Sequence, residues 1–508
     1  MQDLIRYSER NFSKGYRDDI KPELLTTGYA ADALNCYIEN DKIEKRHGFT
    51  IVGNDVGSKP GLGLGALETT GGTKRIVAAW NNAEDTQSVY MAWTGSGNFA
   101  DITGATTQTA EKDVNFEQAV NKLYSFNATD ACLAYDGSAA STIAAVPITK
   151  YAKWFNNFFF VAGNVTYPNR LYFSNAGLPE TWTGTDYIDV NPDDGDIITG
   201  LNALGNELLI TKRNRVYALT GFDVGTFTIK DINERINGFG NISHRSLQNI
   251  GNDTLLLSFV GVTPHIRSIQ RTRYAVNVAG GIISQNVEGT MDGLNTTKLN
   301  LAAAIFDGRK YYLAVPNASS TTNNLVIVYD TVSKGYVRWT GLNIKAWAIS
   351  TLGGKAEIYF QEAGNDSKVY KLDSSTSDNG AAIDFQYKTR MYTTRGIMND
   401  LKSDTKSKWK YLYLTADSGS DVDLDVQKSI DSFEFDSVAT VNLKGSSSVL
   451  PFVLPQRLGI PLVVRERVNL AGGPSHLVQF LFKQSEADKP VTIREYSVLF
   501  KPKKLRDA

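Results

Sequence analysis

Cysteine is nearly absent: Cys36 and Cys132 are the only two in 508 residues. That is too few for a disulfide framework, so they read as lone buried thiols. An excess of either charge is also missing. Lys+Arg of 53 against Asp+Glu of 54 leaves −1, so no global field recruits nucleic acid or an acidic surface, and any DNA handling must be local. No apolar run approaches membrane-spanning length, and the opening MQDLIRYSERNF has no apolar signal-peptide core. The expectation is a soluble chain made in the cytosol. Histidine is scarce too. His47, His244, His265 and His476 have no short metal-ligand spacing and stand beside no Cys or paired carboxylate, so structural roles are the plainer reading. What is abundant is Gly (43), Tyr (24) and Phe (23), against five Met. This is the composition of a β-rich chain in which turns and aromatic strands outnumber helical faces.

Internal repetition follows from the turns. A strand, a two-residue turn, a second strand and an aromatic third strand recur seven times. The turns are Gly71-Gly72, Val120-Asn121, Asn156-Asn157, Gly205-Asn206, Gly251-Asn252, Asp307-Gly308 and Gly353-Gly354. Most are residue types that tolerate the positive φ of hairpin turns. Their spacing of roughly 35–56 residues is close to the four-strand blade period of a propeller. The fold class expected is all-β: a β-propeller of six or seven blades with a C-terminal β-sandwich-like domain.

The last repeat ends at KVYKLD without an outer strand, and KIEKRHGFTIV (42–52) has no local partner. Pairing the two would remove an open sheet edge. The domains expected are therefore 1–52, an N-terminal segment closing the propeller; 53–375, the propeller; and 381–508, the sandwich-like domain. The last holds about seven alternating strands behind the polar linker SSTSDNG.

The stretch RLYFSNAGLPETW (170–182) is a near miss to the Asp box of sialidase propellers. Ser174, Gly177, Thr181 and Trp182 fit loosely, but Asn175 comes one place early in place of Asp. As structure it is a third strand and the turn beyond it, repeated around Tyr329 and Trp339. Glycoside hydrolysis needs two facing carboxylates, and a sialidase also needs an arginine cluster; Arg213, Arg215, Arg267, Arg271 and Arg273 are the candidates. DVNPDDGDIITG (189–200) places Asp189, Asn191 and Asp193 like a calcium loop, yet Gly195 sits one place late and Gly200 stands where the bidentate Glu belongs. GLGLG (61–65) lacks the strand-to-helix context of a phosphate loop and reads as a loop entering the first blade. KRNR (212–215), RSIQRTR (267–273) and KPKKLR (501–506) read as solvated faces and tails. No catalytic, cofactor-binding or metal residue is assigned, no cofactor is implied, and enzymatic activity is not expected.

The opening NFSKGYRDDIKPELLTTGYAADALNCYIENDKIEKRHGF resembles that of bacteriophage tail propeller proteins, with Phe12, Gly15, Asn35, Arg46 and Gly48 in the family's order. The run from NRLYFSNAGLPETW to RVYALTG resembles the same proteins, and the likeness spans roughly residues 11–372. The family named by the resemblance is the nozzle or tail-hub proteins of short-tailed phages, including the tail tubular protein B group. The resemblance implies a virion protein, assembled in the host bacterial cytoplasm. It implies a ring of commonly six copies below portal and adaptor that continues the DNA channel and retains packaged DNA. The partners implied are further copies of the chain, adaptor- and portal-side proteins, distal needle, knob or fibre proteins, and double-stranded DNA in passage. Two rival classes stay open. One is a receptor- or carbohydrate-binding propeller using Trp80, Trp93 or Trp154 as sugar platforms; the other is a glycosidase.

Overall fold

The structure is a computed structural model. It describes residues 4–53, 59–82, 84–104, 106–232, 239–271, 276–277, 281–398, 405–418, 420–443 and 462–503. Arg273, and the ends of the basic stretches at 267–273 and 501–506, lie outside the described residues.

All seven expected hairpins form. Val120 and Asn121 have φ of 41° and 63°, Asn156 and Asn157 of 48° and 64°, and the other five turns place Gly72, Gly205, Gly251, Gly308 or Gly354 at φ between 60° and 101°. Such turns match the right-handed twist of the strands they join. Each hairpin carries two further strands, and among the described residues six of the seven blades are separate four-stranded sheets, while blade six, from Ala303–Phe306 to Tyr336–Trp339, is four neighbouring strands of a ten-stranded sheet. The protein is a seven-bladed β-propeller with a sandwich-like unit. Blade one, for example, runs Gly61–Glu68, Lys74–Asn81, Ser88–Trp93, Ala100–Asp101.

Hydrophobic clusters lie between successive blades. Phe158, Phe160 and Phe173 of blade three meet Leu208, Ile210 and Tyr217 of blade four. Trp80 and Trp93 of blade one meet Ala346, Ala348 and Tyr359 of blade seven. A central strand can therefore be apolar on both faces, as Phe158–Ala162 is, buried throughout.

Blade seven comprises Ile344–Ser350, Glu357–Glu362, Val369–Ser375 and, as its fourth strand, Gly48–Ile51. GLGLG is not a loop before blade one but its first strand. Its glycines let neighbouring backbone approach: a Cβ on Gly63 would lie 2.1 Å from the Val114 carbonyl, and one on Gly65 would lie 2.6 Å from the Phe116 side chain.

The chain divides differently from the three segments expected. One compact unit is Met1–Phe49, Ile327–Gly341 and Asp373–Ala508; the other is Thr50–Val326 and Leu342–Leu372. Strand pairing is the reason. Of the N-terminal segment Gly48–Ile51 joins blade seven and Asp32–Leu34 pairs in parallel with Tyr336–Trp339, the outer strand of blade six, whereas Lys42–Lys45 pairs with Cys36–Glu39 and with Thr492–Pro502. Ile5–Glu9 also pairs with Thr492–Pro502, and Asp32–Leu34 pairs with Phe385–Lys388.

In this first unit all seven strands expected after residue 381 form, and the N-terminal strands complete their sheets. Phe12, fully buried, packs on Tyr387 and Tyr496, with ring centroids 6.0 and 5.8 Å away. Tyr496 lies 5.5 Å from Phe482 and shares a 2.7 Å hydroxyl hydrogen bond with Tyr392. These aromatics join strands of the two sheets into one core.

Candidate functional site

The innermost strands of the blades converge on the propeller axis, where they enclose a cavity of about 190 Å³. Its chemistry centres on the short turn His244–Ser246, which precedes the first strand of blade five. The Arg245 guanidinium reaches across the axis. Its Nε donates to Asn115 Oδ1 (2.9 Å), Nη1 to the Lys345 carbonyl (3.1 Å), and Nη2 to the carbonyls of Leu62 (3.3 Å) and Val114 (2.7 Å). One side chain thus braces blades one, two and seven. Four of its five N–H groups are used, none on a carboxylate, and burial pushes its pKa down against the pull of Asp113.

Around it stand Lys345, paired with Asp113 at 2.5 Å, and Lys153, paired with Glu117 at 3.0 Å. Lys150 lies with its ammonium 5.9 Å from the Tyr151 ring centre. Burial lowers the Lys150 pKa, and Asp113 only partly offsets this. His244 accepts the Leu201 N–H at Nδ1 (3.4 Å), which leaves the proton of the neutral ring on Nε2. Burial and the neighbouring Lys153, Arg245 and Lys150 charges take its pKa down to about 3. Nothing in the sequence marks this cluster, because its charges come singly from separate blades.

The candidates raised by the sequence lie elsewhere. Asp189 of the calcium-like loop is paired with Arg170 (2.8 Å). Asn191, at φ 42°, and Asp194 surround the Lys212 ammonium, which sits 2.8 Å from both Asp194 oxygens and 3.0 Å from the Asn191 carbonyl. A buried ammonium therefore occupies the point where the loop's oxygens converge. Among the described residues no three His, Cys, Asp or Glu side chains gather as a metal site.

Arg215 pairs with Asp231 at 2.7 Å, and Arg267 stacks 4.5 Å from the Phe239 ring centre. The Arg271 guanidinium covers Gly205, where a Cβ would meet it at 2.6 Å. Each of these three is engaged locally. His265 Nδ1 bonds Ser284 Oγ (3.1 Å), His47 packs 6.1 Å from Tyr37, and the His476 N–H donates to Asp431. Trp80 is buried with Nε1 donating to the Ser367 carbonyl, and Trp93 is buried with Nε1 on the Gly97 carbonyl, so neither offers an indole face to a sugar. Trp154 is half-buried against Phe159. Trp182 donates to the Pro179 carbonyl within the turn that follows RLYF, and Trp339 to the Cys36 carbonyl. Cys36 and Cys132 are free, buried thiols whose pKa values burial raises.

The five residues of the opening motif all lie in the first unit. Beyond the Phe12 packing, Gly15 has φ +70°, and a Cβ there would lie 2.2 Å from the Tyr336 carbonyl oxygen. Arg46 is buried and spends all five N–H groups: on Asn35 Oδ1 (3.1 Å), on the His47 and Thr340 carbonyls (3.1 Å each), and on both Asp378 oxygens (2.7 and 2.5 Å). Asn35, at φ 52°, also donates to the Asp384 carbonyl (2.8 Å). A Cβ on Gly48 would lie 1.9 Å from the Ser377 carbonyl oxygen.

No family model matches the chain, and no curated protein does. Among solved structures, the Neurospora crassa Pan2 WD40 domain is similar at 8% identity over 65% of this chain and 95% of that one, with a TM-score of 0.40. The N-terminal domain of Nup159 is similar at 10% identity over 68% of this chain and 99% of that one, with a TM-score of 0.37.

Proposed function

We propose that this chain is a structural protein of a bacteriophage tail, a nozzle or hub subunit whose ring forms part of the DNA-ejection conduit and retains packaged DNA. The observation that carries the reading is the role of the five motif residues on which the resemblance rests. Each holds a position that calls for its residue type: an aromatic core anchor at Phe12, close backbone approaches at Gly15 and Gly48, and an ion-paired knot at Asn35 and Arg46.

The blocked propeller axis sets where DNA would run. With Arg245 spanning a cavity of about 190 Å³, duplex DNA passes between subunits of a ring rather than through one propeller. A ring of this kind forms from heterologous contacts whose rotation closes, and the copy number proposed is six. Net charge of −1 suits a conduit that lets the duplex slide, because each phosphate neutralised by Lys or Arg adds salt-dependent grip.

Electron microscopy of virions, or of the protein mixed with its adaptor, tests the proposal. A closed ring around the tail axis is expected. Single copies at fibre tips, together with saturable binding on a glycan array, would replace it with the receptor-binding reading.

A further inference from the structure

We propose that the axial cavity is a binding site for a small dianionic oxyanion of the phosphate class. Four cations, Lys150, Lys153, Arg245 and Lys345, gather at the axis against two carboxylates, Asp113 and Glu117. Two positive charges remain, in a region where burial makes unneutralised charge expensive.

The donors suit an anion. Lys153 makes one ion pair with Glu117 and has further N–H groups, His244 holds its proton on Nε2, and Arg245 retains one unspent Nη1 N–H. All three side chains line the cavity. At about 190 Å³ it has room for on the order of ten waters, hence for one tetrahedral anion with part of its hydration. A polymer backbone does not fit such a space, so this site is separate from any passage of DNA.

The test uses the full chain and inorganic phosphate, with sodium chloride at matched ionic strength as the control. Phosphate should raise the melting temperature saturably, and calorimetry should give one site per chain. Lys153→Gln and Glu117→Gln break the same ion pair but change the charge of the cavity in opposite directions. Lys153→Gln should weaken phosphate binding about tenfold or more, and Glu117→Gln should tighten it several-fold. A purely structural role for the pair would move both variants the same way. If Lys153→Gln does not fold, Lys150→Gln should weaken binding in the same sense. Adenosine monophosphate serves as a second probe: a stronger response than to phosphate would assign the site to a nucleotide's phosphate end. A response no larger than that to chloride, or affinity shifts of the same sign in the two variants, would overturn the proposal.

Discussion

Two arginines, Arg46 fully buried and Arg245 half-buried, solve the same electrostatic problem in opposite ways. Arg46, in the first unit, meets a carboxylate through two parallel hydrogen bonds and gives its three remaining donors to Asn35 and two carbonyls. Arg245, at the propeller axis, meets only carbonyls and an amide oxygen. The first charge is cancelled where it stands. The second is solvated by backbone dipoles and persists as a positive field inside the axis. A paired arginine ties chain segments together; a carbonyl-held one ties them and leaves a charge available.

The largest effect should come from breaking the paired case. Arg46→Met strands the buried Asp378 and should cost about 3–5 kcal/mol in urea unfolding. Adding Asp378→Leu should recover much of that loss, since removing both charges relieves the stranded one. A double variant no better than the single would mean that the Asn35 and carbonyl bonds, not the ion pair, hold the knot.

Gly48→Ala ranks second at about 3 kcal/mol, because the new Cβ would lie 1.9 Å from a carbonyl oxygen and the backbone must move. Gly48 has no positive φ, so its loss is steric alone; Gly72→Ala, at φ +86° with no atom within 4 Å of the new Cβ, gives the loss from positive-φ strain alone for comparison of the two denaturation midpoints.

Arg245→Met should cost less than Arg46→Met, about 2 kcal/mol, since it leaves carbonyls short of donors but strands no carboxylate of its own. Equal losses in the two variants would break the comparison.

The smallest effect is one of pH. His244 is held neutral down to about pH 3, whereas an unfolded histidine titrates near pH 6.5. Between those values the unfolded chain binds the extra proton, so stability falls as pH drops through this window. The ring faces the axial cavity, which screens the charge, so the loss by pH 4.5 should be on the order of 1 kcal/mol. His244→Phe should flatten this part of the urea midpoint against pH profile; an unchanged slope would assign the acid sensitivity to other groups.

The propeller was legible in the sequence because its signal is local. A pair such as Asn156-Asn157 declares a hairpin by its tolerance of positive φ, whatever lies elsewhere in the chain. One partner of the N-terminal strands was legible, that of Gly48–Ile51, because the last repeat lacked an outer strand; the others were not. Ile5–Glu9 alternates like any edge strand, and nothing in five residues says that its neighbour is Thr492–Pro502. The axial cluster was hidden for a related reason. Asp113, Lys150, Arg245 and Lys345 are unremarkable one at a time and become a site only when the closing of the ring brings their blades together.

The fourth strand of blade seven has a consequence in time. Gly48–Ile51 leaves the ribosome early, and its partner Val369–Ser375 ends 324 residues later. At about 5–20 residues per second, that strand waits roughly 15–65 s for its neighbour during synthesis. Throughout that interval an apolar strand edge is open to chance pairing with other nascent chains. The chain's yield in a cell therefore depends on translation speed and chaperone supply as well as on the stability of the finished ring of blades.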